Sequence, residues 1–472
     1  MGERRTALKR QTKGIGVETD GIARESRRAL RERDAKHCVS TAYLCNMSIA
    51  DLYSLFLSHP SVQTDTRKLE EGDLFFALKG PNFNGNKFVQ EALDKGASYC
   101  IIDEEEYAIP DKTVLVPNAL TALQLLAHHH RKQFSIPFIA ITGSNGKTTT
   151  KELIHSVLSS QYKTYTTEGN LNNHIGVPLT ILKIKQDAQF AIIEMGANHQ
   201  REIASYCEIA LPTHGLITNC GKAHLEGFGG EEGVRKGKGE LYDHLRAHGG
   251  AAFVMWDYDY LHTMSAGINT IYKYGTKDAD LEGNTVQSDP FLKLEFTKGI
   301  TGKVATSLVG SYNLPNVLAA AAVGNYFKVA SENIVTALEA YMPSNSRSQL
   351  VQKGNNKIIL DAYNANPSSM KLAIENFART EGTEKILVLG AMAELGEASV
   401  AEHQAIVSLI SNYEWKNVML IGGDFLKTEH SYKSFNTADE AGAWLKEQNI
   451  GNSFLLVKGS RSTGTEKVLD YL

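Results

Sequence analysis

The sequence predicts an α/β protein built from three domains, and three observations lead there. The chain has 472 residues, about three times the usual domain size. Short apolar runs alternate with helix-compatible segments from residue 47 onward, the pattern of parallel sheets covered by helices. The apolar runs of the last third end in glycine, at Gly390, Gly422-Gly423 and Gly459. Ligands of open α/β sheets bind outside such strand ends.

Composition narrows the class. The chain is 42% hydrophobic and 22% charged, an ordinary globular balance. A net charge of −4 gives no general basis for nucleic-acid binding. No apolar run is long enough for a membrane span. The five cysteines form no C-x-x-C pair and are odd in number. That fits a reducing cytoplasm and offers no zinc framework.

Residues 1–46 are rich in Arg and Lys (Arg4, Arg5, Lys9, Arg10, Arg27, Arg28) and lack the apolar centre of a signal peptide. They read as a disordered basic extension, with Met47 as the natural first residue. Residues 47–134 hold strand Asp73–Leu78, a helix over Lys87–Lys95 and strand Tyr99–Ile102, a small α/β domain. Residues 135–342, entered at Pro137, hold strands Phe138–Thr142, Phe190–Ile193, His214–Ile217 and Ala251–Val254 and an Ala-rich helix over Asn313–Val329. They predict a parallel, doubly wound sheet. Beyond Pro343, residues 343–472 carry strands Lys357–Leu360, Ile386–Leu389, Val418–Ile421 and Phe454–Val457, a Rossmann-like unit.

The most informative stretch is Gly143-Ser144-Asn145-Gly146-Lys147-Thr148-Thr149. It lies between an apolar strand and a helix-compatible segment. Strand, Gly-rich turn, Lys-Thr and helix is the order of a phosphate loop. Its backbone N–H groups and the helix N-terminus bind phosphate oxygens. Lys147 supplies charge to the β- and γ-phosphates and Thr148 a hydroxyl to Mg2+. ATP is the expected ligand. The loop departs from the general pattern, because Gly143 and Gly146 enclose only two residues.

Other residues carry open alternatives. Glu194 ends a buried strand and reads as a Mg2+ ligand or an ordinary strand-end carboxylate. His224, in a Gly-rich loop, reads as a metal ligand, a phosphate contact or a structural histidine. Lys238 is expected to open a helix, where a cation is disfavoured. It is a solvated charge, or a neutral amine that adds CO2 to become a carbamate. Asn313 and Asn316 read the adenine edge or cap the helix that follows.

Taken together, the motifs resemble the Mur ligases, the ATP-dependent amide-forming enzymes of peptidoglycan synthesis. The resemblance covers Met47 to Leu472. It rests on the shortened loop Thr142–Thr148, on Gly169–Pro178 (GNLNNHIGVP), Glu194–Gln200 (EMGANHQ), His224–Gly229 (HLEGFG), Tyr363–Met370 (YNANPSSM), Met392–Glu397 and Lys458–Ser462 (KGSRS). Within the family the pattern is similar to that of members joining D-alanyl-D-alanine to UDP-N-acetylmuramoyl (UDP-MurNAc) tripeptide.

The resemblance implies roles. Thr66, Arg67 and Lys79 would hold the UDP-sugar, and Asn170, Asn172 and Asn173 the substrate. Gly143 to Thr149 would bind ATP, with Asn313 on adenine and Arg347 and Asp361 reaching the nucleotide from the third domain. Thr148, Glu194, His224 and carbamylated Lys238 would hold Mg2+. Lys147, His224 and Lys238 would be catalytic. Asn364, Asn366, Glu394 and Glu397 would lie near the dipeptide. Some relatives carry Asp where this chain has Ala391. A cytoplasmic monomer is implied, with no nucleic-acid or membrane partner. Two sister activities fit less well. Ligases that select diaminopimelate as third residue carry an Asp-Asn-Pro-Arg motif absent here, and folylpolyglutamate synthases lack the first domain. A nucleotide-binding regulator without catalysis would not need Lys147, Thr148, Glu194, His224 and Lys238 together.

Overall fold

The structure, a computed structural model, describes residues 47–472 apart from Asn345 and Thr383. The basic extension expected over residues 1–46 lies outside the described residues.

The first helix, Ile49–Ser58, starts where sequence chemistry places it. Ser48 Oγ accepts from the Asp51 N–H at 3.2 Å, and Ser48 N donates back to Asp51 Oδ2 at 3.1 Å. The strands that follow are β1 (Val62–Gln63), β2 (Leu74–Phe76), the ribbon β3 (Lys79–Gly80) and β4 (Phe83–Asn84), then β5 (Tyr99–Ile102) and β6 (Thr113–Leu115). Four of them form a parallel sheet, β1-β2-β5-β6. The strand expected from Asp73 is shorter, because Asp73 closes the preceding turn by accepting from the Glu70 N–H at 2.7 Å. The helix expected over Lys87–Lys95 is Val89–Asp94, preceded by a 3-10 turn.

Helix Ala119–Arg131 joins this sheet to the next. Its buried face (Ala119, Ala122, Leu123, Leu126, Ala127) shares one apolar core with Phe138, Ile139 and Ile141 of the central sheet. Arg131 locks the junction. Its guanidinium lies 3.7 Å from the Phe138 ring centre and donates to the carbonyls of Ala210 (2.7 Å), Phe134 (2.8 Å) and Leu211 (2.9 Å).

The central sheet has nine strands: β7 (Phe138–Thr142), β8 (Thr164–Thr166), β9 (Phe190–Glu194), β10 (His214–Ile217), β11 (Ala251–Met255), β12 (Thr270–Gly275), β13 (Leu281–Gln287), β14 (Phe291–Lys298) and β15 (Gly302–Val309). Their order is β15-β14-β13-β12-β11-β10-β7-β9-β8. Strands β7, β9 and β11 are buried along their whole length, as strands covered on both faces must be. The expected parallel sheet runs from β8 to β13, but β14 pairs antiparallel with both neighbours. Leu292, Leu294 and Phe296 alternate with exposed residues, so this ribbon has one covered face. The Ala-rich helix is Leu314–Tyr326, following a 3-10 turn over Ser311–Asn313.

The third sheet contains β16 (Gln349–Lys353), β17 (Asn356–Asp361), β18 (Lys385–Gly390), β19 (Asn417–Ile421), β20 (Lys433–Phe435) and β21 (Phe454–Lys458), in the order β16-β17-β21-β18-β19-β20. All pairs are parallel except β16–β17. Side chains alternate between two cores. Ile386, Val388, Leu455 and Val457 face helix Ala438–Glu447, whereas Leu387, Leu389 and Leu456 face helices Pro367–Arg379 and Ser399–Ile410. Among the described residues no helix is long and apolar enough to cross a membrane.

Replacing Arg131 with Met strands three inward carbonyls, and hydrogen bonds from a charged donor are worth about 1.5–3 kcal/mol each. Arg131→Met is expected to lower unfolding stability by at least about 2 kcal/mol in denaturant titrations. A change within error would show that the junction does not need this residue.

Candidate active site

A cleft of about 610 Å³ opens at the C-terminal ends of β7, β9 and β10. Its floor is the turn after β7. Gly143 has φ +143°, and a Cβ there would sit 2.0 Å from Thr218 Oγ1, so glycine is required. The turn is fastened to the segment after β10. The Ser144 N–H donates to Asn219 O (2.9 Å), the Asn145 N–H to Asn219 Oδ1 (3.1 Å), and Thr218 Oγ1 to Asn145 O (2.6 Å). Helix Lys147–Ser159 starts at once, so its N-terminus faces the cleft. Lys147 Nζ donates to the loop carbonyl of Gly143 at 2.7 Å. Burial holds its pKa below the ordinary lysine value; Glu194 opposes that shift and Arg347 adds to it.

Glu194, at the end of β9, is almost completely buried. Its Oε1 accepts from Thr148 Oγ1 (3.2 Å) and Asn172 Nδ2 (2.7 Å), while its Oε2 is buried without a hydrogen-bond partner. A carboxylate oxygen left bare beside a hydroxyl suits a hard cation. Among the described residues no three His, Cys, Asp or Glu side chains converge as a metal site. A cation there would therefore also need water or ligand oxygens, the usual case for Mg2+. Asn313 lines the cleft but does not cap its helix. Instead Asn313 Nδ2 donates to Val309 O, and its Oδ1 accepts from Asn316 Nδ2, both at 2.9 Å.

The third domain forms the roof. Arg347 and Asp361 line the cleft with Tyr363, Asn364, Asn366 and Lys458. The Arg347 guanidinium lies 3.6 Å from the Tyr363 ring centre, and its Nε is buried without a partner. Lys458 Nζ is buried against Asp361 Oδ2 at 2.6 Å, in the register where β21 pairs with β17. Contacts reach across to the floor. Asn366 Nδ2 donates to Asn145 Oδ1 (2.7 Å), the Lys222 N–H to Ser368 Oγ (2.9 Å), and Lys222 Nζ to Glu402 Oε1 (2.5 Å).

The comparisons with known proteins follow this layout. Residues 60–131 match the Mur ligase family catalytic domain, 141–324 the Mur ligase middle domain and 346–461 the Mur ligase glutamate ligase domain. The chain is 35% identical over 424 residues to the UDP-N-acetylmuramoyl-tripeptide–D-alanyl-D-alanine ligase of Bacillus subtilis (strain 168), covering 86% of this chain and 92% of that protein. The chain belongs to the Mur ligase family. The Escherichia coli (strain K12) ligase of the same name is 33% identical, over 91% of this Mur ligase and 97% of the relative. The crystal structure of MurF from Acinetobacter baumannii superposes with a TM-score of 0.78 at 31% identity, covering 87% of this chain and 92% of that one. MurF ligase from Thermotoga maritima in complex with ADP gives 0.78 at 26% identity, covering 88% and 97%.

Lys238 of this Mur ligase does not open a helix. It is the eighth residue of an 18-residue helix, Glu231–His248, so the helix terminus has no part in its chemistry. Its Nζ is buried and donates to Ala197 O at 2.9 Å. Desolvation, aided by the Lys147 charge, brings its pKa down to about 7. His224, at φ +53°, turns Nδ1 to within 2.5 Å of Glu394 Oε2. That contact holds the Glu394 carboxyl below its usual pKa.

The cleft brings together Ser144 to Thr149, Asn170, Asn172, Asn173, Glu194, His224, Asn313, Arg347, Asp361, Asn364 and Asn366. It does not include Thr66, Arg67, Lys79, Gly143, Lys238, Glu394 or Glu397 in its lining. Arg67 is exposed and paired with Asp65 at 2.7 Å. Lys79 sits between Asp103 (3.2 Å) and Glu104 (3.3 Å). Sequence reasoning gave no role to Tyr258, Tyr260, Tyr312, Tyr363 or Lys458, all of which line the cleft. Tyr363 and Lys458 lay within motifs already singled out, and Tyr312 precedes Asn313; Tyr258 and Tyr260 carried no signal.

Proposed function

We propose that this Mur ligase joins D-alanyl-D-alanine to UDP-MurNAc-tripeptide at the expense of ATP, giving the pentapeptide, ADP and phosphate. The observation that carries the reading is the charge arrangement between floor and roof. Lys147 and Arg347 enter one cleft from two domains, and among the described residues neither has a carboxylate ion-pair partner. A buried carboxylate with a bare oxygen lies on the same floor. Two uncommitted cations beside such a carboxylate suit a triphosphate with a divalent cation. The relatives named above carry this ligase activity in their names.

In this reading residues 47–134 bind the UDP-sugar, 135–342 bind ATP and 343–472 bring the dipeptide, in a cytoplasmic monomer. An oxygen of the tripeptide carboxylate attacks the γ-phosphorus. The bond from that phosphorus to the ADP oxygen breaks, leaving an acyl phosphate. The dipeptide amine, once deprotonated, adds to the acyl carbon, and the tetrahedral adduct expels phosphate. Lys147 and Arg347 neutralise charge on the transferring phosphoryl group, and the loop N–H groups orient it. Thr148 and Glu194 would hold Mg2+, which supplies further charge neutralisation on phosphate oxygens when bound. Asn313 lies beside the cleft where adenine would sit. With a pKa near 7, Lys238 holds a share of neutral amine at neutral pH, as carbamate formation needs.

Phosphate release from ATP with UDP-MurNAc-tripeptide, with and without D-Ala-D-Ala, tests the proposal. Dipeptide-dependent release with a pentapeptide product by mass spectrometry is expected, and trying both Lys- and diaminopimelate-containing tripeptides fixes the third residue. No release with either would refute it. Lys147→Ala should keep the fold and lose at least about a hundredfold in turnover, the scale of removing one transition-state donor. Near-normal turnover would remove Lys147 from the mechanism. Lys238→Ala should lose about as much and recover in part with a short-chain carboxylic acid. Because its amine is increasingly protonated as pH falls through about 7, CO2-dependent activity of the wild type should fall on the acid side. Full activity in unrescued Lys238→Ala would exclude the carbamate.

A further inference from the structure

The dipeptide carries a carboxylate that must be recognised somewhere near the roof. Most charged side chains there are unsuited to it. Lys458 is committed to Asp361 and Lys222 to Glu402, while Glu394 and Glu397 would repel an anion. Arg461 is different. It opens the 3-10 turn Arg461–Thr463 just beyond β21, at the strand end where ligands of open α/β sheets bind. It is exposed, and among the described residues its guanidinium has no ion-pair partner. Its guanidinium carbon lies 5.7 Å from the ring centre of Tyr363. Tyr363 lines the cleft and holds Arg347 at 3.6 Å. One aromatic ring thus carries two arginines, one lining the cleft and one exposed.

We propose that Arg461 anchors the terminal carboxylate of the incoming dipeptide, with Tyr363 fixing its distance from the phosphoryl-transfer site. The proposal rests on the ligase reading above. An extended dipeptide reaches about 7 Å, and ring-to-guanidinium distances of 3.6 and 5.7 Å keep the two cations within the same order of separation. A planar guanidinium also matches a carboxylate with two parallel hydrogen bonds, which a lysine ammonium does not.

Steady-state kinetics with each substrate varied in turn tests this, using D-Ala-D-Ala and its C-terminal amide. Arg461→Ala is expected to raise the dipeptide KM about tenfold to a hundredfold, the scale of losing a charge-assisted pair. KM values for ATP and UDP-MurNAc-tripeptide should stay unchanged, and Arg461→Lys should recover part of the loss. Amidation should cost the wild type the same factor and cost Arg461→Ala nothing further. Equal sensitivity of wild type and variant to amidation would overturn the assignment, as would a shift confined to the ATP KM. A wild type that turns over with dipeptide while Arg461→Ala matches it would overturn this inference alone; a wild type inert with dipeptide would overturn the ligase reading together with it.

Discussion

Asn145 stands where three parts of the chain meet. Its N–H and carbonyl bind the segment after β10, and its side-chain oxygen accepts from Asn366 of the third domain. Everything the cleft can do depends on that junction. The turn after β7 is held rigid from below, so its N–H groups and the helix N-terminus keep their aim without reorganising. The same residue tells the third domain where to rest. With Asn366 bonded to Asn145, Arg347 lines the same cleft and Ser368 accepts from the Lys222 N–H. Phosphoryl transfer is chiefly a matter of positioning charge, so a contact that sets the distance between two cations sets the chemistry.

The charges around this junction divide into two groups. Lys458, Lys222 and Arg131 are committed to protein acceptors and hold the frame. Lys147, Arg347 and Arg461 have no carboxylate ion-pair partner among the described residues and remain open to ligands. Aromatic rings rather than carboxylates hold two of these last three. A cation stacked on Tyr363 is oriented without being neutralised, which leaves its hydrogen-bond donors available. Lys238 is a third case, a buried amine with a single carbonyl acceptor and a pKa near 7.

Much of the floor was legible in the sequence because its signals are contiguous. An apolar strand, a Gly turn and Lys-Thr lie within a dozen residues, and strand-end residues such as Glu194 follow from the same pattern. The antiparallel ribbon of β14 and β15 was missed, although Leu292, Leu294 and Phe296 alternate as a one-sided strand should. Lys238 was misplaced for a tertiary reason. Gly237 and Gly239 resemble a helix boundary, yet the helix runs through them. A Cβ on Gly237 would lie 2.4 Å from the Phe228 ring, so the glycine serves close packing and not termination. The roof was the least legible. Asn145 and Asn366 are 221 residues apart, and no local pattern says that they touch. The resemblance to the Mur ligases supplied Arg347 and Asp361, but not Tyr363 as the ring that carries Arg347.

The central claim is that a carboxylate is phosphorylated in this cleft before an amine displaces the phosphate. Tripeptide labelled with 18O in its terminal carboxylate tests it in one turnover. The account predicts that the phosphate released carries one labelled oxygen for each amide bond formed. Unlabelled phosphate, with the displaced carboxylate oxygen lost to water, would contradict it.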